Sequence, residues 1–158
     1  MPTKSAAQEP HPETGDRWLD QFLPYRLYRV TNRLNAKLLR KLKAIGIGPS
    51  QWRVLSVLTS CGTMSISRIT EESLMEQPTV SRVVQQMEQD GYVVRRASSE
   101  DTRVTDVALT EKGRAAFNEI LPTARRHQQI ALEGLSRTEV ANLRLMLKRI
   151  EANIDLYE

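Results

Sequence analysis

One cysteine and two histidines in 158 residues leave little material for metal or redox chemistry. Cys61 has no second thiol to pair with, so an internal disulfide is excluded and a reducing compartment fits. With His11 and His127 as the only histidines and no Cys pair, a conventional zinc site within one subunit is not expected. No cofactor is expected either. His127 sits beside Arg125 and Arg126 without a nucleophile to serve, so it reads as an ordinary surface or interface residue, and no enzyme constellation stands out elsewhere. No apolar run is long enough to cross a bilayer, and the amino terminus lacks the apolar core of a secretion signal. The expectation is a cytoplasmic protein with no membrane partner.

What is present is basic charge in the body of the chain. Twenty-three Lys and Arg against 19 Asp and Glu give a formal net charge of +4. Residues 1–16 hold one lysine against Glu9, Glu13 and Asp16, so the excess lies beyond them, where a protein that meets phosphate needs it. Residues 1–15 contain three prolines among polar residues and read as a flexible tail.

The most informative stretch is 77–110. Val80, Val83, Val84 and Met87 recur at i, i+3, i+4 and i+7 and predict the inner face of a helix. The opposite side carries Thr79, Ser81, Arg82, Gln85 and Gln86, hydroxyls, amides and a guanidinium suited to base edges and phosphates. Upstream, Ser65 is placed to cap a helix through Ile66, Ile69 and Leu74, with a tight turn at Met75 and Glu76 and Pro78 in the next first turn. Together these form a helix-turn-helix whose second helix enters the major groove. Downstream, Gly91 ends that helix, residues 92–96 begin a strand, 97–102 turn, and 103–109 return with Val107 and Leu109 inward. Asp101 and Arg103 occupy the hairpin tip, from which the guanidinium could reach a minor groove while the carboxylate orients it. Strand alternation lets at most one of Arg95 and Arg96 face phosphates.

Outside this core, residues 18–45 read as one long helix with Leu23, Leu27, Val30, Leu34, Leu38 and Leu42 at helical spacing, broken by Gly46 and Gly48. Pro49 starts the next helix, with Trp52, Leu55 and Leu58 on one side. Thr110 caps another, which Pro122 should kink or interrupt. Ser136 and Glu139 make a capping box, with Leu135 and Val140 as its staple, for a last helix striped with Val140, Leu143, Leu147, Ile150 and Ile154. That stripe is expected to pair with the first helix and with a second subunit. Trp18, Phe22, Leu156 and Tyr157 suit interface anchors and intrachain core equally.

The ordered set Gln51-Trp52-Arg53-Val54-Leu55, Thr79-Val80-Ser81-Arg82-Val83-Val84, Met87-Glu88-x-x-Gly91-Tyr92-Val93, Asp101-x-Arg103 and Leu109-Thr110-x-x-Gly113 resembles the MarR family of bacterial transcriptional regulators. The resemblance implies a mainly α fold with a small β-hairpin wing, divided into a tail (1–16), a first dimerisation helix (17–46), a winged helix-turn-helix (47–113) and C-terminal dimerisation helices (114–158). It further implies a homodimer on double-stranded DNA carrying an inverted repeat, with Thr79, Ser81, Arg82, Gln85, Asp101 and Arg103 at the DNA. Relief of repression by a small anionic effector, an aromatic acid or a coenzyme A thioester, follows from the same resemblance.

Arg26, Arg29, Arg33, Lys37 and Arg40 form one basic stripe on the first helix, joined by Lys41 and Lys43, with no acid between residues 24 and 46. Three readings stand: a solvated face paired with acids elsewhere, a phosphate contact, or an effector pocket in which Arg26, Arg29 and Arg33 hold an anion and Trp52 receives a ring. Redox sensing through Cys61 is the rival mechanism, although no basic residue adjoins it in sequence. A sequence-independent architectural protein and a protein-binding winged helix are the alternatives from other classes.

Overall fold

The computed structural model describes residues 17–98 and 105–156. Seven helices and three short strands follow in the order α1 (Trp18–Gln21), α2 (Leu23–Ala44), α3 (Pro49–Cys61), β1 (Met64–Ser65), α4 (Ile66–Ser73), α5 (Gln77–Gln89), β2 (Val93–Ala97), β3 (Thr105–Leu109), α6 (Glu111–Ala131) and α7 (Arg137–Asp155). The fold is mainly helical with a small antiparallel sheet, as the sequence pattern predicts.

The first helix is two helices rather than one. Pro24 has no N–H to offer the Asp20 carbonyl, and the chain steps into extended backbone at Phe22 before α2 begins. The Arg26 guanidinium donates to the freed Asp20 carbonyl at 3.1 Å. Pro122 has the opposite outcome. Instead of interrupting α6 it stays inside it, two residues past Ile120, which is fully buried and ties that turn to the core.

The core lies at the centre of a head built from α3, α4, α5, the sheet and the first half of α6. Val54, Leu55 and Leu58 of α3, Ile69 of α4, Val80, Val84 and Met87 of α5, Val93, Val107 and Ile120 close around the carboxy-terminal end of α2 at Leu38 and Leu42. The apolar stripe of α2 therefore splits: Leu38 and Leu42 are buried, whereas Leu23, Leu27, Val30 and Leu34 are exposed. No residue of α7 is buried. The pairing of α7 with the first helix of the same chain is not observed, because α2 packs against α6 and α7 has no substantial contact with either beyond the connecting turn.

The wing is part of a three-stranded sheet, not a two-stranded hairpin. β3 lies between β2 and β1, with Met64 opposite Val107 and Ser65 opposite Asp106. Two residues were too short a run for strand periodicity to show. Ser65 also caps α4, accepting from the Arg68 amide at 3.3 Å. In the register of β2 and β3, Arg95 faces Val107 and Arg96 faces Asp106; Val107 points inward and is buried, and Leu109 is half-buried.

Candidate nucleic-acid interface

Helix α5 divides into two faces. Val80, Val84 and Met87 are fully buried and Val83 packs against the same core, which fixes the helix on the head. Thr79 and Ser81 are half-buried, and Arg82 and Gln85 are exposed. Among the described residues, Arg82 has no acidic partner. It is held on a rigid, core-anchored helix with its charge uncompensated, as a phosphate or guanine contact requires. Pro78 occupies the first turn, where the missing N–H costs nothing. The neighbouring cation Arg68 is committed to Glu71 and Glu72 of its own helix, at 3.6 and 3.8 Å.

The turn into α5 departs from expectation. Leu74, read from sequence as part of the apolar stripe of α4, is 90% exposed and stands at φ 50°, the left-handed conformation that terminates α4. A leucine there carries the steric cost that glycine avoids. The Arg53 guanidinium donates to the Ser73 carbonyl at 3.2 Å and satisfies one of the last acceptors of α4.

The base of the wing is clamped to α5. Glu88 accepts from the Arg95 amide at 3.2 Å and from its Nε at 2.8 Å. This pairing holds the Glu88 carboxyl below its ordinary range and lifts the Arg95 guanidinium further, in each case through the side-chain hydrogen bond first. Arg95 is thus occupied within the protein, and Arg96, exposed and without an acidic partner among the described residues, is the strand arginine that remains available. Gln86 is likewise engaged, donating to Asp90 at 3.1 Å. Asp101 and Arg103 lie outside the described residues.

Behind the wing, Thr110 donates to the Gly91 carbonyl at 2.7 Å and accepts from the Gly113 amide at 3.1 Å. A Cβ on Gly113 would stand 2.1 Å from the Tyr92 carbonyl oxygen, which explains the Thr-x-x-Gly spacing as a close crossing of α6 over the start of the wing.

Arg26, Arg29 and Arg33 line one cavity of about 230 Å³ together with Asp20 and Val30. Asp20 bonds Arg29 at 3.1 Å, so the stripe has an acid that lies outside the acid-free segment. An adjoining apolar cavity of about 270 Å³ shares Val30 and Arg33 and adds Leu34, His127, Ile130 and Ala131. His127 Nδ1 is buried with no hydrogen-bond partner. Trp52 is not brought to either cavity: it stacks on Phe117 with ring centroids 5.0 Å apart and joins α3 to α6. Sequence reasoning did not place His127 at this cavity, because only the packing of α6 on α2 reveals which of its neighbours it faces.

The MarR family model matches residues 45–104, the stretch from the end of α2 to the wing. Over 146 residues the chain is 32% identical to the HTH-type transcriptional repressor IacR of Pseudomonas putida, covering 92% of this chain and 87% of that protein. The chain belongs to the MarR family. Among solved structures, a MarR-family transcriptional regulator from Silicibacter pomeroyi superposes with a TM-score of 0.80 at 28% identity, covering 86% of this chain and 92% of the other. The Bordetella bronchiseptica regulator BpsR, described with its regulation of DNA binding by 6-hydroxynicotinic acid, shares the fold at a TM-score of 0.73 and 23% identity, over 87% of this chain and 98% of its own. Regulators of the MarR family are DNA-binding transcription factors rather than enzymes. No described helix is long and apolar enough to cross a membrane, and no cluster of three or more metal-ligating side chains occurs among the described residues.

Proposed function

We propose that this MarR-family protein is a homodimeric, sequence-specific repressor whose two α5 helices occupy successive major grooves of an inverted repeat, about one helical turn apart. The observation that carries the reading is the outer face of α5, where Thr79, Ser81, Arg82 and Gln85 stand on a helix fixed by a fully buried inner face. Asp101 and Arg103 take the wing to the flanking minor groove, and the domain division 1–16, 17–46, 47–113 and 114–158 carries over. Dimerisation is supported by the apolar residues of α7 and of the first half of α2 that stay exposed among the described residues. Replacing Arg82 with Ala is expected to weaken operator binding by roughly 1–3 kcal/mol in a gel-shift titration. Affinity unchanged by that replacement would remove Arg82 from the interface.

An anionic aromatic effector is the reading that best suits the paired cavities. Three guanidiniums line one end and apolar side chains with the unpartnered His127 Nδ1 line the other. 6-Hydroxynicotinic acid, named with the Bordetella regulator, has this chemistry of a carboxylate on a polar ring. Effector binding that favours one spacing of the two heads lowers DNA affinity, and by linkage DNA lowers effector affinity equally. Converting Arg26, Arg29 and Arg33 to Gln should abolish release of DNA by aromatic acids while leaving operator affinity without ligand near the wild-type value. A parallel loss of DNA affinity with a shallower salt dependence would assign the stripe to phosphates instead. Cys61, exposed at the last residue of α3, carries the alternative of redox control; a Cys61→Ser protein with unchanged peroxide response would dispose of it.

A further inference from the structure

Asp90 follows the last residue of the recognition helix, and each of its three acceptor oxygens is taken by a different helix. Oδ1 accepts from Gln86 Nε2 of α5 at 3.1 Å, Oδ2 from Gln51 Nε2 of α3 at 3.4 Å, and the main-chain carbonyl from Lys112 Nζ of α6 at 2.6 Å. Gln51 is itself locked, since its Oε1 accepts from the Gly48 amide at 2.7 Å. Lys112 is also held, its ammonium 4.8 Å from the centre of the Tyr92 ring. α3 is where the chain enters the head from α2, across Gly46 at φ 73° and Gly48, and α6 is where it leaves. Both passages between the head and the outer helices therefore converge on one residue at the end of the reading helix.

An acid at a helix carboxy terminus opposes the helix dipole, which offsets the few tenths of a kcal/mol that the i,i+4 bond from Gln86 supplies, and the bond to Gln51 of α3 lies outside local helix stability altogether. Its geometry does something else. It ties the end of α5 to the two segments that carry the head, and in a dimer the angle of α5 to those segments bears on the separation of the two reading helices. We propose that Asp90 is a positioning residue that determines which half-site spacing the protein accepts, through the bond of its carboxylate to Gln51, beside the main-chain contact to Lys112 that any residue at this position would keep. This rests on the inverted-repeat reading above and adds to it the residue that sets the spacing.

The test measures affinity of the full-length protein for an operator at its preferred spacing and for operators with one or two base pairs inserted or removed at the centre. Wild-type protein is expected to prefer one spacing by roughly tenfold or more, a usual size for coupling between sites. Asp90→Ala should cut that preference to within about threefold while the base preferences inside each half-site stay unchanged. Gln51→Ala should move the ratio in the same direction, and the double variant should reduce the spacing preference no further than Asp90→Ala alone, because the two share one contact, while the Gly48 contact that Gln51 also makes bears on stability and not on the ratio. Asp90→Asn, which keeps the shape and one side-chain acceptor, should restore part of the preference. A merely structural cap would lower affinity equally at every spacing and leave the ratio intact, which overturns the inference while the operator reading stands. A wild-type protein indifferent to spacing overturns both.

Discussion

At Gly113 the chain passes so close to the Tyr92 carbonyl that any side chain collides with backbone, and backbone cannot move aside cheaply. Gly113→Ala is expected to destabilise the protein by about 3 kcal/mol in urea unfolding, the upper range for overpacking. Leu74 stands at the opposite limit. Its left-handed backbone costs roughly 1–2 kcal/mol and its side chain packs on nothing, so Leu74→Gly should raise stability by about 0.5–1 kcal/mol after the entropy that glycine adds to the unfolded chain. A loss of stability there would show that the exposed leucine has a partner. Glu88 supplies a dependence on pH. Its folded pKa is depressed by Arg95, so its contribution is fully present above the unfolded carboxylate value of about 4.3 and is lost as pH falls through the lower folded value. Glu88→Gln should remove that component from the acid limb of the stability profile; an acid limb identical to wild type would mean the clamp on Arg95 does not persist in solution.

Among the elements, legibility followed the number of chemical signals that a segment carried. Helix α5 was readable because Val80, Val84 and Met87 set its period and Gly91 its end, and α7 because Ser136 and Glu139 mark its start. The cap at α7 is present, with the Glu139 carboxylate bonded to the Ser136 amide at 2.7 Å. What one sequence could not supply was the outcome of competing effects. Pro24 and Pro122 are the same residue type with the same missing donor. The first lies among exposed residues that no core contact holds in one helix, and the helix breaks there; the second sits next to buried Ile120 and the helix continues. Strand β1 is too short to have a period, and the lining of a cavity comes from residues of two helices that lie far apart in sequence, as Arg33 and His127 do. The effector-pocket reading gives Trp52 a ring to receive; only the neighbour Phe117, 65 residues on, shows where its face is spent.

For the whole molecule the main unbalanced feature is the exposed apolar surface of α7 and the outer half of α2. An isolated helix of 19 residues is marginal in water, and α7 buries none of its residues in its own chain. In the proposed homodimer a second subunit supplies the missing surface. Leu143→Glu combined with Ile154→Lys should therefore shift the protein from dimer to monomer in sedimentation equilibrium and weaken operator binding together with it. A monomer that binds the operator with undiminished affinity would contradict the dimeric reading. The most direct measurement of the central claim is selection of duplexes from a random DNA pool by the purified protein at near-physiological salt. Enrichment of one inverted repeat, with half-site centres about one helical turn apart, is the predicted result. Recovery of DNA with no common sequence, or of no DNA at all, would contradict it.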